Sequence, residues 1–545
     1  ALFGSSAIAG TINIITKEPM RNSGMLSHTI TGIGDGDVFD NSTALNASLV
    51  TDDQRAGLYI FGQNRHRSAY DHDGDGYSEI PKLHGQTIGF RSFLKTTTYS
   101  KLTFEYHHME EFRRGGDLLN RPPHEANVAE QTEHSINGGG LKFDYFSPNE
   151  NHRFNVFASA QHINRDSYYG PGDRDPLDAY GNTTDLNWMA GSQYVYSFGK
   201  CIFMPSDLTA GIEFNQDKLE DNMWGYNRTV DQKVNIGSAF LQNEWKNDHW
   251  GFLIGGRLDK HNLIDHVIFS PRANLRYNPT ENINLRFSYS SGFRAPQAFD
   301  EDLHVENVGG NVAMVELADN LKEERSQSLS ASADIYHRFG AFQVNFLVEG
   351  FYTKLSDVFA LTDGEVVDGI LTRTRHNASG AQVLGLTLEG KMAYLNKIQV
   401  QAGVTLQQSH YSKPHIWNKE APAVKKMMRT PNTYGYFTAT YTPIKPLSIA
   451  LSGTYTGSML VPHDPVPGFL ENPITVNTKD FFDIGLKAAY DFKLYKSMNL
   501  QLNAGIQNIF NAYQDDFDKG ADRDSGYIYG PSLPRSFFAG VKISY

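Results

Sequence analysis

Apolar and polar residues alternate along most of the chain with a repeat of two. Residues 282–290 read NINLRFSYS, so that isoleucine, leucine, phenylalanine and tyrosine share one face while asparagine, arginine and serine share the other. Residues 499–507 and 536–545 alternate in the same way, with Phe538 as an aromatic exception on the polar face of the last segment. A period of two predicts β-strands that are apolar on one face and polar on the other.

The connections between these segments favour a barrel over a two-sheet sandwich, whose strands would alternate as well. Short turns are predicted at residues 51–54, 97–100, 147–151, 247–249, 278–282, 338–341, 394–397 and 442–446. Long polar connections lie between them, at residues 67–84, 113–133, 166–184, 292–324, 356–377, 411–430, 458–479 and 512–534. Short turns at one rim and long loops at the other are typical of outer-membrane barrels, and the segments between Ser23 and Tyr545 predict about 22 strands.

The composition is compatible with a barrel that crosses a membrane. The mean hydropathy is −0.44, and no run of about 18 apolar residues predicts a transmembrane helix. A barrel wall averages to a nearly neutral hydropathy, because lipid-facing apolar residues alternate with lumen-facing polar ones. We therefore predict an all-β fold, an antiparallel transmembrane β-barrel of about 22 strands.

Charge, cysteine content and motif content argue against other classes of protein. The formal net charge of −12 argues against binding to nucleic acid, which attracts basic surfaces. The single cysteine, Cys201, cannot form an internal disulfide, and the sequence has no CxxC pair that could bind a metal. No GxSxG motif is present, and no other Ser/His/Asp grouping can be assembled from the sequence, so we do not predict an enzyme.

Residues 1–17 read ALFGSSAIAGTINIITK, a run of small residues followed by a β-branched run. This pattern predicts a turn that enters a fully buried strand. The segment resembles the end of the plug of TonB-dependent outer-membrane receptors. The resemblance implies that residues 1–22 are the C-terminal end of the plug domain and that residues 23–545 form the barrel. It also implies a TonB box and most of the plug ahead of Ala1, so we expect the chain to be a fragment or a processed form.

Two motifs near the middle of the chain extend the resemblance. Residues 291–296 read SGFRAP and residues 320–326 read NLKEERS. They resemble the FRAP box and the NPNLKPE-type box of the same family, which flank one long extracellular loop, although AD at 318–319 replaces the usual residues. Pro296 has no N–H to give to a strand ladder, so we expect pairing to end there. We expect Glu324 and Arg325 to lie at the rim where the next strand begins.

The end of the chain carries a third match. Residues 508–511 read NIFN, and residues 527–535 read YIYGPSLPR. They resemble the two sides of the family's final long loop, where two prolines stand just before the closing strand. An ordinary turn rich in proline and glycine would look similar in isolation. With this match, the resemblance covers the chain from end to end.

The resemblance implies energy-coupled import across the outer membrane of a Gram-negative bacterium. A TonB-type protein would supply the energy, the ligand would be a scarce metal chelate, and outer-membrane lipid would surround the barrel. A ferric siderophore is the favoured ligand, and haem and cobalamin are the alternatives. No cofactor is required. A passive porin-like channel is the rival class, but a porin has no reason to carry the plug-like segment at residues 1–17.

The segment DHDGDGYSE, at residues 71–79, is the sharpest candidate for a metal site. Carboxylates at alternate positions, here Asp71, Asp73 and Asp75 followed by Glu79, are how calcium loops gather oxygen ligands. Glu79 comes earlier than in an EF-hand, and no flanking helices are predicted. The alternative interpretation is an acidic, glycine-rich surface turn, and a calcium ion in an extracellular loop stays a hypothesis beside it.

His304 lies in the long connection between the two boxes, within the sequence DEDLH at residues 300–304. Haem receptors of the family place a histidine in this interval, where a neutral imidazole can bind haem iron. The alternative is a solvated loop histidine among acidic residues, and we favour it. The same two interpretations apply to four further histidines, which are His376, His410, His415 and His463.

Arg113 and Arg114 follow Phe112 at a predicted rim. A cation beside an aromatic ring could hold an anionic ferric catecholate through charge and cation–π contact. The alternative is an aromatic girdle beside the basic start of a loop. The same two interpretations apply to the aromatic loop residues, which are Tyr168, Tyr169, Trp224, Tyr226 and Trp417.

Overall fold

The computed structural model describes residues 8, 18–34, 36, 38–170, 175–224, 228–296, 313–361, 365–367, 370–524 and 526–545. Within them it places two short 3-10 segments, Pro123–Glu125 and Pro176–Ala179, and a series of β-strands. The strands are β1 (Ser23–Ile33), β2 (Val38–Val50), β3 (Ala56–Arg67), β4 (Ser78–Thr97), β5 (Ser100–Gly116), β6 (Ala129–Phe146), β7 (His152–Gly170), β8 (Tyr180–Cys201), β9 (Met204–Met223), β10 (Arg228–Lys246), β11 (Trp250–His261), β12 (Ile268–Thr280), β13 (Ile283–Arg294), β14 (Ala313–Leu317), β15 (Glu324–Phe339), β16 (Phe342–Ser356), β17 (Phe359–Leu361), β18 (Glu365–Val367), β19 (Ile370–Asn377), β20 (Ala381–Tyr394), β21 (Ile398–His415), β22 (Val424–Lys426), β23 (Thr433–Ile444), β24 (Leu447–Thr456), β25 (Leu460–His463), β26 (Ile474–Asn477), β27 (Phe481–Tyr495), β28 (Met498–Gln507) and β29 (Ser536–Ser544). Among the described residues, no helix has the length and apolar character needed to cross a membrane.

One closed barrel accounts for most of these strands. The main sheet has 23 strands, of which β22 is a three-residue strand paired with the upper end of β21. The other 22 form the barrel wall, with antiparallel neighbours throughout. The wall closes where β1 pairs with β29, from Met25 opposite Ser544 to Ile33 opposite Ser536. Closure leaves no strand edge exposed. The predicted antiparallel barrel of 22 strands is confirmed.

The period-two pattern separates the outer face of the wall from the inner face. Large apolar side chains point outward and remain exposed, such as Ile254 at 63% and Phe287 at 50%. Polar and small residues alternate with them on the inner face. Phe538, the exception in the sequence, lies opposite Gly505 of the neighbouring strand. A Cβ at Gly505 would lie 2.5 Å from Phe538 Cζ, so the glycine makes room for this ring.

The predicted short turns are confirmed along one rim, where hairpins such as β2–β3, β6–β7 and β10–β11 connect neighbouring strands. The opposite rim differs from the expected pattern in two ways. Three of its connections have only four to six residues, after β1, after β9 and after β11. Strand pairing also continues into stretches that were expected to be loops, because a ladder of backbone hydrogen bonds does not require apolar side chains: β5 runs to Gly116 and β7 to Gly170.

The long-loop rim carries further small sheets and packed clusters. Strands β14, β17 and β18 pair with β19, and β25 pairs with β26. Buried apolar side chains cluster at this end of the barrel, as in the group formed by Val461, Phe481, Tyr527 and Tyr529. Such clusters resemble the core of a water-soluble protein, and they hold the long connections together above the wall.

Candidate functional site

The acidic segment 71–79 folds into a compact loop between β3 and β4. The amides of Gly74 and Gly76 each donate to the carboxylate of Asp71, at 2.8 Å. Both glycines have positive φ, 74° and 93°, a conformation that glycine adopts without a steric penalty. Oxygen atoms of Asp71, Asp73 and Glu79 lie within 4.8 Å of one another. The structure therefore brings together three of the four predicted calcium ligands.

The fourth predicted ligand, Asp75, contacts the last long connection of the chain instead. Its carboxylate accepts hydrogen bonds from the amide of Gly520 at 2.8 Å and from the guanidinium of Arg523. Arg523 also donates to Glu79 Oε1 at 2.9 Å and lies 4.9 Å from the ring centre of Tyr77. Burial acts to raise the pKa of Asp75, but the hydrogen bonds from Gly520, Tyr77 and Arg523 outweigh burial and lower this pKa.

A second set of contacts joins the last connection to the β25–β26 hairpin. The ring of His463 stacks on Tyr527 with centroids 3.8 Å apart, and its Nε2 lies 2.9 Å from Oδ2 of Asp518. The amide of Asp524 donates to the same oxygen at 3.0 Å. Burial, reinforced by a hydrogen bond to Asp516, raises the pKa of Tyr527 to about 12. We refer to the three connections at residues 68–77, 457–480 and 508–535 as the loop assembly.

A cavity of about 240 Å³ lies beside these contacts. Its lining includes groups of both charges and three aromatic rings, which belong to Tyr77, Glu79, Phe517, Asp518, Arg523 and Tyr527. Arg523 and Asp518 were not predicted from the sequence. The sequence DDFDKGADRD, at residues 515–524, is rich in charged residues, but this composition does not indicate which residues Arg523 and Asp518 would contact.

The two arginines predicted at the rim have different environments. Arg114 is buried and donates to the carbonyl oxygens of Gly115, at 3.0 Å, and Asp117, at 3.2 Å. Arg113 is half-exposed, and its Nε donates to Glu111 at 2.7 Å. Exposed outward residues such as Phe104 occupy the even positions of β5, so Arg113 lies on the inner face. Of the pair, Arg113 is the one available to a ligand in the lumen.

Arg113 belongs to a group of inner-face arginines that was not predicted from the sequence. The registers of β3 to β7 place Arg67 level with Arg113, and Arg65 level with Glu111 and Arg165. Arg65 binds Asp40 at 2.6 Å and Arg165 lies 3.6 Å from Asp221, whereas Arg67 donates to the neutral carbonyl of Pro81 at 3.0 Å. The sequence feature that could have predicted this group is RHR at residues 65–67, because two arginines separated by one residue share one face of a strand. We call Arg65, Arg67, Arg113 and Arg165 the inner arginine group.

The predicted aromatic residues fall into three environments. Tyr168 and Tyr169 are buried in a cluster with Ala126, Ala129, Ala179 and Met223, where they support the neighbouring loops. Trp224 is exposed, and Trp417 is partly buried. Tyr226 lies outside the residues that the structure describes.

The predicted histidines are spread over several loops. His415 packs against Tyr411, with ring centroids 4.7 Å apart, and His376 Nδ1 lies 3.4 Å from the carbonyl oxygen of Thr374. His410 lies in β21 opposite Gln382, and His463 belongs to the loop assembly. His304 lies outside the described residues, as does all of the plug-like segment 1–17 except Ile8. The assignment of residues 1–22 to a plug domain therefore stays a prediction.

The two central motifs lie side by side in the barrel wall. Strand β13 ends with Phe293 opposite Arg325 and Arg294 opposite Glu324. Strand β15 begins at Glu324, as the sequence predicted. The carboxylate of Glu323 binds Arg325 at 2.5 Å and His266 at 3.1 Å, so charged contacts hold the base of the long connection between the motifs.

Comparison with known proteins gives a consistent result. Residues 24–509 match the family described as TonB dependent receptor-like, beta-barrel. The siderophore receptor PirA of Acinetobacter baumannii has a similar structure, with a TM-score of 0.77 at 16% identity over 100% of this chain and 84% of that chain. The ferric enterobactin receptor PfeA of Pseudomonas aeruginosa also has a TM-score of 0.77 at 16% identity, over 100% of this chain and 84% of that chain. The ferric-catecholate import receptor Fiu of E. coli K12 gives 0.71 at 14% identity, over 99% and 85%. No curated protein matches the chain.

Proposed function

Because this chain belongs to the family of TonB-dependent receptors, we propose that it imports a ferric siderophore across the outer membrane of a Gram-negative bacterium. The family match over residues 24–509 carries this proposal, and it agrees with the closed barrel of 22 strands. Members of this family are transport receptors, so the chain is a receptor and not an enzyme or a passive porin. The exposed apolar side chains of the outer wall would contact membrane lipid.

The ligand class is supported by two observations. Similar structures are those of receptors for siderophores, ferric enterobactin and ferric catecholates. At 14–16% identity this likeness concerns the fold, so the inner arginine group provides the chemical argument. A ferric tris-catecholate is an anion with planar aromatic groups, and guanidinium ions bind such groups by charge and by stacking. Arg67 and Arg113 are placed to meet an anion that enters from the long-loop rim.

Import would require an energy source and a partner. As in other TonB-dependent receptors, a TonB-type protein on the opposite side of the membrane would couple transport to the proton gradient of the inner membrane. The short-turn rim would face that partner, while the loop assembly and the other long connections would face the outside. This orientation places the inner arginine group on the path of an incoming chelate.

Ligand binding to the purified receptor tests the proposal. Ferric enterobactin, haem and cyanocobalamin would each be titrated while tryptophan fluorescence is recorded. We expect ferric enterobactin alone to bind tightly, and Arg67→Ala with Arg113→Ala to weaken it by about tenfold or more, since each charged hydrogen bond contributes about 1.5–3 kcal/mol. The control is Arg338→Ala, at the end of β15 next to the turn to β16, at the other rim. Binding of haem or cobalamin in place of the catecholate would refute the siderophore assignment.

We also propose that the acidic segment 71–79 binds calcium. Three observations support this: the oxygens of Asp71, Asp73 and Glu79 converge, the loop is held by hydrogen bonds, and Ca²⁺ prefers oxygen ligands. Asp75 would act indirectly, by fixing the loop to Arg523. Isothermal titration with calcium should give one saturable site that Asp73→Asn removes. An equal heat signal from the Asp73→Asn variant would assign the binding elsewhere.

A further inference from the structure

The turn between β8 and β9 differs chemically from the other short turns. It consists of Ile202 and Phe203, whose side chains are 81% and 53% exposed. Among the described short turns, it is the one in which two adjacent residues both carry large hydrocarbon side chains. Ile202 has a φ of 64°, a conformation that β-branched residues rarely adopt. This turn therefore exposes apolar surface and keeps a strained backbone where glycine or asparagine would be usual.

The turn is fixed against the outer wall of the barrel. The indole N–H of Trp245 donates to the carbonyl oxygen of Cys201 at 3.0 Å. The ring of Phe203 stacks on Trp245 with centroids 5.7 Å apart and an interplanar angle of 16°, and it contacts Phe252 at 6.1 Å. Trp245 pairs with Phe252, which shares its strand face with the outward-pointing Ile254. Phe203 thus packs on the outside of the barrel.

The contact surface of Phe203 belongs to an aromatic belt. Trp250 stacks on Phe252, with centroids 5.7 Å apart, and on Tyr277, with centroids 4.2 Å apart. On the other side of the turn, Tyr196 contacts Phe198 at 4.5 Å. Belts of tryptophan and tyrosine on a barrel lie at the level of the lipid headgroups. Because Phe203 packs within this belt, the turn lies at the same level as the membrane interface.

From this placement we propose that the β8–β9 turn inserts into the lipid leaflet on the short-turn side and anchors the barrel there. Ile202 and Phe203 contact the upper acyl chains, and the exposed Lys200 lies next to headgroup phosphates. The surface is continuous with the lipid-facing wall, which favours lipid over a protein as its occupant. Anchoring at one side fixes the depth and tilt of the barrel. The proposal rests on the outer-membrane location given under the proposed function.

A spin label on the turn tests this placement. Cys201 is the only cysteine of the chain, so Cys201→Ser provides a background without thiols. In that background, Ile202→Cys would carry a nitroxide label, and Asp248→Cys, in the neighbouring polar turn, would be the matched control. The labelled receptors would be reconstituted in phosphatidylglycerol–phosphatidylethanolamine vesicles. Collision rates with oxygen, which concentrates in lipid, and with a water-soluble nickel chelate would then be measured.

We expect the label at position 202 to collide with oxygen several times more often than with the nickel chelate, and the label at 248 to show the reverse. Equal access of nickel to both labels would place the turn in water and overturn the proposal. Protection from both reagents, or dipolar broadening between labels, would mean that a protein or a second copy covers the turn, which also overturns it. Retained binding of ferric enterobactin in either case would show that the proposed function stands independently.

Discussion

The barrel wall and the loop assembly are built in different ways. In the wall, neighbouring strands are mostly neighbours in sequence, and one rule, the alternation of apolar and polar side chains, repeats on all 22 strands. In the loop assembly, the decisive contacts join residues more than 440 positions apart, such as Arg523 with Asp75 and Glu79. The wall therefore depends on many interchangeable residues, whereas the loop assembly depends on a few specific charges.

The difference between the barrel wall and the loop assembly has an energetic basis. Each outward apolar residue of the wall adds a small and similar contribution, because it replaces a costly exposure of polar groups to lipid. The contacts of Arg523 in the loop assembly are hydrogen bonds and ion pairs between nearly buried groups, which are costly to leave unmade. Damage to the wall should therefore affect the whole barrel, and damage to the loop assembly should remain local.

The largest effect is expected from a charge on the outer wall. Ile254→Arg should destabilise the barrel by about 2–4 kcal/mol if the side chain lies near the centre of the bilayer. Urea unfolding of the receptor in lipid vesicles measures this change. The control is Ser330→Arg on the inner face of β15, next to the outward-pointing Leu329, which should change stability by less than about 1 kcal/mol. Equal losses in both variants would contradict the assignment of the two faces.

A smaller and local effect is expected from Arg523→Ala. This substitution leaves the nearly buried carboxylates of Asp75 and Glu79 without their guanidinium partner, at a cost of about 1–3 kcal/mol. Hydrogen exchange of the amides of Gly520 and His72, which donate to these carboxylates, should accelerate. The unfolding midpoint of the barrel should not change.

Lys519→Ala is the matched control for Arg523→Ala, because Lys519 is an exposed cation 3.5 Å from Asp73 in the same connection. An exposed ion pair contributes at most about 1 kcal/mol, so exchange of the two amides should change little. A lower unfolding midpoint of the barrel in Arg523→Ala would show that the wall and the loop assembly unfold as one unit. It would contradict the expectation that damage to the loop assembly remains local.

A still smaller effect is expected at His463. His463→Phe keeps an aromatic ring on Tyr527 but removes the hydrogen bond to Asp518, with a cost of about 1 kcal/mol. The amide of Asp524 donates to the same carboxylate, so its hydrogen exchange should accelerate by roughly fivefold. His463→Ala removes the ring stacking as well and should have a larger effect. Equal exchange rates in the two variants would assign the whole contribution to the hydrogen bond.

The smallest effect is expected when the pH is lowered. The pKa of Asp75 lies below its ordinary value of 3.8, so the stability that this carboxylate contributes is fully present above that pH and is lost as the pH falls through the lowered value. The difference in Gly520 amide exchange between the wild type and Asp75→Asn should stay constant from pH 7 to about pH 4.5 and shrink below it. A difference that stays constant down to about pH 3, or that grows as the pH falls, would mean that the pKa is not lowered.

Several predictions from the sequence depended on local rules and proved accurate. The alternation, the short turns and the strand count follow from side-chain periodicity and from a few turn signals. The start of β15 at Glu324 was expected from the family resemblance. The exact ends of strands were less well predicted. Strands β5 and β7 continue as far as Gly116 and Gly170, because polar residues can pair in a ladder above the membrane as readily as apolar ones.

The candidate site was predictable only in part. The sequence indicated an acidic loop with four carboxylates, and the oxygens of three of them, Asp71, Asp73 and Glu79, do converge. The fourth is Asp75. The sequence offered no means of finding Arg523 as the partner of Asp75, since any of several charged residues in the last connection could have taken that place. It also treated Arg113 and Arg114 alike, although one faces the lumen and the other is buried against backbone carbonyls.

The amino-acid sequence alone predicted an antiparallel barrel with two unlike rims. It could do so because a strand exposes its faces with a fixed period, and lipid and water select opposite residues for the two faces. The folded arrangement of the strands and loops was needed to find which charges meet above the wall and which inner-face arginines lie level with one another. Closure of β1 on β29 brings the first and last long connections together, and that proximity cannot be read from the distance between them along the chain.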